Sequence, residues 1–271
     1  MTSKHIAKLM LGAAVALLGL ALLAPTAFAR ETAKGFERFA GCPSPEENPT
    51  VFICTSSVVV GGHFQMGSKD VPIKKPITLS GGIDEKANLF FNSKGGLAPV
   101  KEEVPGGVIG ITGLDWLVNF LNAEQLKLYA VTELVGPATA NVEEIKLPIR
   151  VHLVNPVLGS KCYVGSASNP ISLDMITGIT NPPPPNEPIE GVGVALSEGE
   201  PPGVILGKAT YVDNSFAAPK ASGCVLMLLG FLPISLDGLV NSQAGLPSPA
   251  GTNETRQEIE LELAATPTVY P

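Results

Sequence analysis

Pro148-Ile-Arg-Val-His-Leu-Val154 and Gln257-Glu-Ile-Glu-Leu-Glu-Leu263 share one pattern. In the first, Ile149, Val151 and Leu153 alternate with Arg150 and His152. In the second, Ile259, Leu261 and Leu263 alternate with Glu258, Glu260 and Glu262. A two-residue period sends successive side chains to opposite faces of a strand, so both segments predict antiparallel strands with one buried and one solvated face. Shorter strand patches are Val51-Phe-Ile-Cys54, Ser57-Val-Val-Val60, Ile77-Thr-Leu79 and Leu89-Phe-Phe91, with Gly61-Gly62, Gly81-Gly82 and Gly95-Gly96 among them as turn or bulge signals. The 29 glycines and 25 prolines in 271 residues exceed a usual combined share of about 12 per cent and imply many tight turns. The expected class is all-β, mainly antiparallel: a β-sandwich or jelly-roll-like domain with one or two short helices.

One segment has helical spacing. In Leu114-Asp-Trp-Leu-Val-Asn-Phe-Leu-Asn-Ala-Glu-Gln-Leu126, the residues Trp116, Leu117, Phe120 and Leu121 recur as on one helix face, with Asp115 near the start. Trp116, the single tryptophan, is expected in the core. Gly106-Gly-Val-Ile-Gly-Ile-Thr-Gly113 lacks the G-x-G-x-x-G spacing of a dinucleotide loop and reads as a glycine-rich strand or loop.

The N-terminus has the three parts of a secretory signal: basic Lys4 and Lys8, an apolar run from Leu9 to Leu23, and the small-x-small motif Ala27-Phe-Ala29 before Arg30. The run is too short for a membrane anchor, which needs about 20 apolar residues. The first cysteine, Cys42, is too far from the cut for lipid attachment, and Glu262–Pro271 lacks a hydrophobic tail with basic residues. The expected organisation is therefore a signal peptide at 1–29, an extended leader at 30–50, and a single β-rich domain at 51–271 with a proline-rich loop at 181–188. No membrane span is expected in the mature chain, which should be secreted and extracellular.

Removing Lys4 and Lys8 from 18 basic residues leaves 16 against 25 acidic ones. That balance argues against nucleic acid, whose phosphates demand Lys and Arg. Four cysteines in an oxidising compartment are expected to pair. Three connectivities are possible, and the preferred one joins Cys42 to Cys54 and Cys162 to Cys224. Zinc is disfavoured because close C-x2-C pairs are absent.

The chemistry-bearing residues form no known signature. G-x-S-x-G, H-E-x-x-H and H-x-H do not occur. His63, His152, Glu102 and Glu103 are the only candidates for a hydrolase with an unrecognised site, and Glu187, Glu190, Glu198 and Glu200 read as solvated loop acids. No catalytic residue, metal or cofactor is expected. Asn253-Glu-Thr255 is a formal glycosylation sequon.

Three stretches, Asn155-Pro-Val-Leu-Gly-Ser-Lys-Cys-Tyr-Val-Gly-Ser166, Val212-Asp-Asn-Ser-Phe-Ala-Ala-Pro-Lys-Ala-Ser-Gly-Cys224 and Gly245-Leu-Pro-Ser-Pro-Ala-Gly-Thr-Asn253, together resemble a group of uncharacterised secreted proteins of actinobacteria. The resemblance covers the C-terminal half and implies no activity. It does imply that the motifs holding Cys162 and Cys224 meet around a disulfide. The functional expectation is a secreted, non-catalytic extracellular or cell-envelope protein whose partner is a surface glycan or an envelope protein. The alternatives are a secreted hydrolase or, from the high aliphatic content, an apolar-ligand carrier.

Overall fold

The computed structural model describes residues 30–84, 86–93, 96–228 and 230–271. The expected signal peptide, with Ala27 and Ala29 of its cleavage motif, lies outside the described residues, which begin at Arg30. Chain order runs β1 (Val51–Met66), β2 (Lys69–Pro72), β3 (Ile77–Asp84), β4 (Phe90–Phe91), β5 (Glu102–Glu103), α1 (Gly107–Thr112), α2 (Ala123–Leu126), β6 (Tyr129–Leu134), β7 (Thr139–Ala140) and β8 (Glu144–Val154). It continues through β9 (Tyr163–Val164), β10 (Ile171–Ile176), β11 (Val192–Glu198), β12 (Val204–Asp213), β13 (Ala221–Ser222), β14 (Val225–Leu228), β15 (Leu232–Ser235), α3 (Asp237–Ala244), β16 (Glu254–Ala265) and α4 (Thr266–Val269).

The class is mainly antiparallel β, as expected, and all strands but β14 and β15 join one 14-stranded sheet. That sheet curls until its two halves face each other across the core. The pairings close a ring. β1 pairs β3, and β3 pairs β4. Leu89 bridges Thr139, with Phe90 N–H donating to Ala138 O at 2.9 Å and Ala140 N–H donating to Asn88 O at 2.9 Å. β7 then pairs β8, β8 pairs β10, β10 meets β12 through Ile176 and Val212, β12 pairs β16, and β16 returns to β1. Closure gives each strand of the ring a neighbour on both sides and an inside and an outside face.

The two alternating segments fall in β8 and β16. Ile149, Val151, Leu153, Ile259 and Leu261 are buried in the main core. The outward residues are charged and paired across strands: Lys208 lies 2.7 Å from Glu260, Arg150 2.6 Å from Glu133, and Lys146 3.5 Å from Asp174. A barrel that crosses a membrane has the opposite polarity, with an apolar outer band.

In β1 the patches 51–54 and 57–60 fuse into one strand. Val59 pairs Ile259 but Gly61 pairs Glu258, so Val60 is an extra residue, a β-bulge. The bulge switches faces: Ile53, Thr55, Ser57 and Val59 line the interior before it, Phe64 and Met66 after it. Gly62 completes the bulge at φ 111°, and a Cβ there would sit 1.9 Å from Arg256 O. The paired glycines at 61–62 and 81–82 thus lie inside strands rather than between them.

Two expectations from the helical regions change. The 106–113 string forms α1, with Val108, Ile111 and Thr112 buried and Gly113 closing it in the left-handed region. The 114–126 segment is broken into a 3-10 turn, Asp115–Asn119, and α2, whose N-cap Asn122 forms a capping box with Gln125. The new cap interrupts the helical face, so Leu117 is buried while Trp116 is 47% exposed, contrary to its expected core position. α1 and α3 close one end of the barrel, where Ile111, Ala244 and Leu246 meet the interior.

The disulfides pair Cys42 with Cys54 and Cys162 with Cys224. The segment expected to run as an extended leader contains a 3-10 turn, Glu37–Phe39, and packs Phe36, Phe39 and Cys42 with Val204, Ala264, Val269 and Tyr270 in a second apolar cluster. Tyr270 Oη donates to Cys42 O at 2.6 Å. The sequon residue Asn253 is fully buried: its Nδ2 donates to Phe216 O at 2.8 Å, and its Oδ1 accepts from Gly67 N–H at 2.9 Å. A buried amide used on both sides is a structural cross-link, and its loss strands several backbone groups. Asn253→Ala is expected to destabilise the fold by about 2 kcal/mol or more, read as a lower urea midpoint at unchanged slope; wild-type stability in this variant would show that the cross-link contributes nothing.

Candidate functional site

The ring leaves the interior incompletely filled. At the end away from α1 and α3 lies a cavity of about 320 Å³. Its walls come from β1 (Ile53, Thr55, Ser57), β3 (Leu79, Ile83), β8 (Ile145), β12 (Tyr211) and β16 (Leu261, Leu263). A narrow waist of about 60 Å³ between Ser57, Leu79, Ile145 and Ile259 leads to a smaller space of about 90 Å³ under the helical cap. Adjacent cavities share Ser57, Leu79 and Ile145 on one side and Phe64, Ile77, Thr132 and Gln257 on the other. The spaces therefore form one axial series, apolar along its length.

Register explains why these residues meet. Leu79, Ser57, Leu261 and Gly207 are cross-strand partners in one row, and partners in an antiparallel ladder share a face. Gly207 carries no side chain into the row, and Leu196 of β11, its partner there, extends the apolar surface toward the mouth. Exposed apolar side chains, Phe52 and Val142, stand at the rim beside Asp84, Asn88 and Asn141.

Polar groups at the mouth are mostly engaged by the chain itself. Asp84 Oδ1 accepts from Ala87 N–H at 2.9 Å and Leu89 N–H at 3.1 Å. Asn141 Oδ1 accepts from Glu143 N–H and Glu144 N–H, both at 2.8 Å. Asn88 takes φ 53°, a left-handed conformation that asparagine tolerates better than most residues, and it positions the carbonyl that joins β4 to β7. Deeper inside, the hydroxyls of Thr55 and Ser57 lie 3.1 Å apart. One donates to the other, which leaves one hydroxyl proton for an acceptor in the cavity.

The residues considered for hydrolysis do not converge. His63 is held by Asp70 (Nδ1 to Oδ1 2.9 Å) and lies 3.5 Å from Glu254. His152 stacks on Tyr163 at 4.3 Å, with Glu133 at 3.6 Å. Both histidines alternate with lining residues, Phe64 in one case and Val151 and Leu153 in the other, so they belong to the outer face. Glu102 is buried and faces the smaller cavity, where its Oε1 accepts from Lys75 N–H at 2.7 Å; Glu103 points out and is exposed. Among the described residues no three potential metal ligands cluster. On the outer face, burial and neighbouring Glu144 hold the Asp174 carboxyl above the usual range, against the pull of Lys146.

Sequence reasoning missed the cavity residues, since each looks like ordinary core. Tyr211 is the one with a chemical signature. It is fully buried, its Oη donates to Val142 O at 3.1 Å, and burial pushes its phenol up to about 12. Tyr270 is shifted in the same direction by burial and by Glu47. An unfolded tyrosine ionises near 10, so between that value and 12 the unfolded state loses protons that the folded state keeps, and stability falls as pH rises. Wild-type stability is expected to decline through this window, and Tyr211→Phe to decline less, with Tyr270 carrying the remainder; denaturant titrations at stepped alkaline pH decide it, and identical slopes in both proteins would contradict the assignment. No family model, curated protein or solved structure matches this chain.

Proposed function

We propose that this chain is an exported, non-catalytic binding protein whose ligand is a small apolar molecule held in the barrel interior. The observation that carries the reading is the 320 Å³ cavity walled by Ile53, Leu79, Ile83, Ile145, Leu261 and Leu263, with exposed Phe52 and Val142 at its rim. Ligand sites are typically concavities of about 300 to 1,000 Å³ with apolar walls and few polar groups. The Thr55–Ser57 hydroxyl pair supplies such a group, so the preferred ligand has an apolar body and one hydrogen-bond acceptor. Export is supported by the pattern of residues 1–29 and by two disulfides, which persist in oxidising compartments. Among the described residues no helix is long and apolar enough to cross a membrane.

The carrier reading is favoured over glycan recognition because the cavity walls are mostly apolar and the rim oxygens Asn141 Oδ1 and Asp84 Oδ1 are occupied by backbone N–H groups. A sugar would leave most of its hydroxyls without partners there, at about 1 to 3 kcal/mol for each group stranded.

Two measurements test the proposal. Mass spectrometry of solvent extracts from the natively purified protein should find a co-purifying apolar compound, and a fluorescent fatty-acid analogue should bind the emptied protein. Ala140→Trp, on the cavity wall at the partly exposed mouth, should fill the cavity and weaken the analogue at least about tenfold, roughly 1.4 kcal/mol, while circular dichroism stays unchanged. Absence of any extracted compound together with no analogue binding would refute the carrier reading.

A further inference from the structure

The hairpin of β14 and β15 carries a cluster of exposed apolar side chains. Cys224-Val-Leu-Met-Leu-Leu-Gly-Phe-Leu-Pro-Ile-Ser-Leu236 contains no acidic or basic residue. The two strands pair only with each other, in a two-stranded sheet separate from the barrel. Phe231 is 72% exposed, Met227 49% and Leu232 48%, with Leu228 and Ile234 also exposed. Around Gly230 a Cβ would meet nothing within 4 Å, so the tip stands clear of the rest of the chain.

The geometry of this exposure discriminates between occupants. Leu226 pairs Ile234 and Leu228 pairs Leu232, which sets one face; Val225 pairs Ser235 and Met227 pairs Pro233, which sets the other. Apolar groups are therefore exposed on both faces and at the tip. A protein groove or a second copy covers one face of a hairpin and leaves the other in water. A fluid apolar medium covers all of it.

The root of the hairpin is rigid, with two lysines in the segments that lead into it and Asp237 engaged by the backbone. Cys224 is tied to Cys162, its N–H donates to Asp237 Oδ1 at 2.8 Å, and Leu236 N–H donates to Cys224 O at 2.7 Å. Lys161 precedes Cys162, and its carbonyl lies against Gly223. Lys220 precedes β13, which leads directly to the hairpin. Both lysines are exposed. An apolar tip above cationic groups complements a lipid surface, where acyl chains lie beneath anionic phosphates.

We infer that the hairpin inserts its tip into an anionic lipid surface, with Lys161 and Lys220 at the headgroup level. The inference rests on the hairpin alone and is independent of the cavity. Its test is co-sedimentation of the mature chain with vesicles of phosphatidylglycerol mixed with phosphatidylcholine. Wild type should pellet with the vesicles, and the paired change Phe231→Glu with Leu232→Glu, at exposed positions, should lower the bound fraction at least tenfold while circular dichroism stays unchanged. Lys161→Glu with Lys220→Glu should weaken binding to these vesicles and not to pure phosphatidylcholine. Phe231→Trp in a Trp116→Phe background gives a single reporter, and its emission should shift to the blue on adding vesicles. Ala140→Trp should leave sedimentation unaltered, which keeps this result separate from ligand binding. Wild type that remains in the supernatant, equal binding by the glutamate variant, or unshifted emission at position 231 would overturn the inference; dimerisation without vesicle binding would overturn it in favour of a second copy.

Discussion

The contact of Gly62 with the Arg256 carbonyl is the constraint on which the barrel depends. β1 spans the barrel from the open mouth to the helical cap, a length over which a strictly alternating strand accumulates twist and drifts from its neighbours. The extra residue at Val60 absorbs this by re-aiming the chain, and only a residue without Cβ fits the carbonyl that then crosses Gly62. Because the side-chain period is two, one inserted residue exchanges the faces of everything beyond it. Ser57 and Val59 face inward on one side of the bulge, and Phe64 and Met66 on the other. Without the exchange, His63 and Gln65 would point into the apolar space and Phe64 into water.

The same geometry accounts for the cavity. Where β1 is paired on both edges by β3 and β16, two of its inward residues below Ile53 are small or polar, Thr55 and Ser57. Their row partners include Gly81 and Gly207. Leu79, Leu261, Leu263 and Ile205 supply the aliphatic groups of these rows while β1 and the glycines add little volume, so the walls are apolar while the middle stays open. At the capped end Phe64, Met66, Val104 and Ile111 converge and the space shrinks. Cavity size thus follows from which rows carry glycine and hydroxyl residues.

Much of the framework was legible. The period-two runs at 148–154 and 257–263 became β8 and β16 because each has one wet and one dry face, and both disulfides are the pairs preferred from the spacing of the cysteines. What escaped has identifiable causes. The closing joint uses β4 and β7, two residues each, too short to carry any period. α1 hides behind glycines whose positive φ serves its two ends, Gly107 and Gly113. Trp116 faces out because a capping box at Asn122 resets the helical phase just beyond it. The cavity itself has no linear signature, since its walls come from separate strands as single aliphatic residues that a filled core would equally use.

The joints of the ring are unequal. On one side of the mouth, β1, β16 and β12 are continuously laddered from Ile53 to Gln65 and from Val204 to Asp213. Their outer faces are further covered by Phe36, Phe39 and Val269 and braced by the Cys42–Cys54 link. On the other side, β4 meets β7 through the single Leu89–Thr139 bridge, beside a left-handed Asn88. Local opening begins where few hydrogen bonds and little buried apolar surface must be given up. The β4–β7 joint has few hydrogen bonds, though Phe90 and Ala138 beside it are buried in the core, and it lies on the cavity wall through Asn88, Phe90 and Ala140. The joint between β10 and β12 is equally slight, resting on Ile176 and Val212, so two joints of the ring depend on single pairs while β1, β16 and β12 keep the register of the cavity wall.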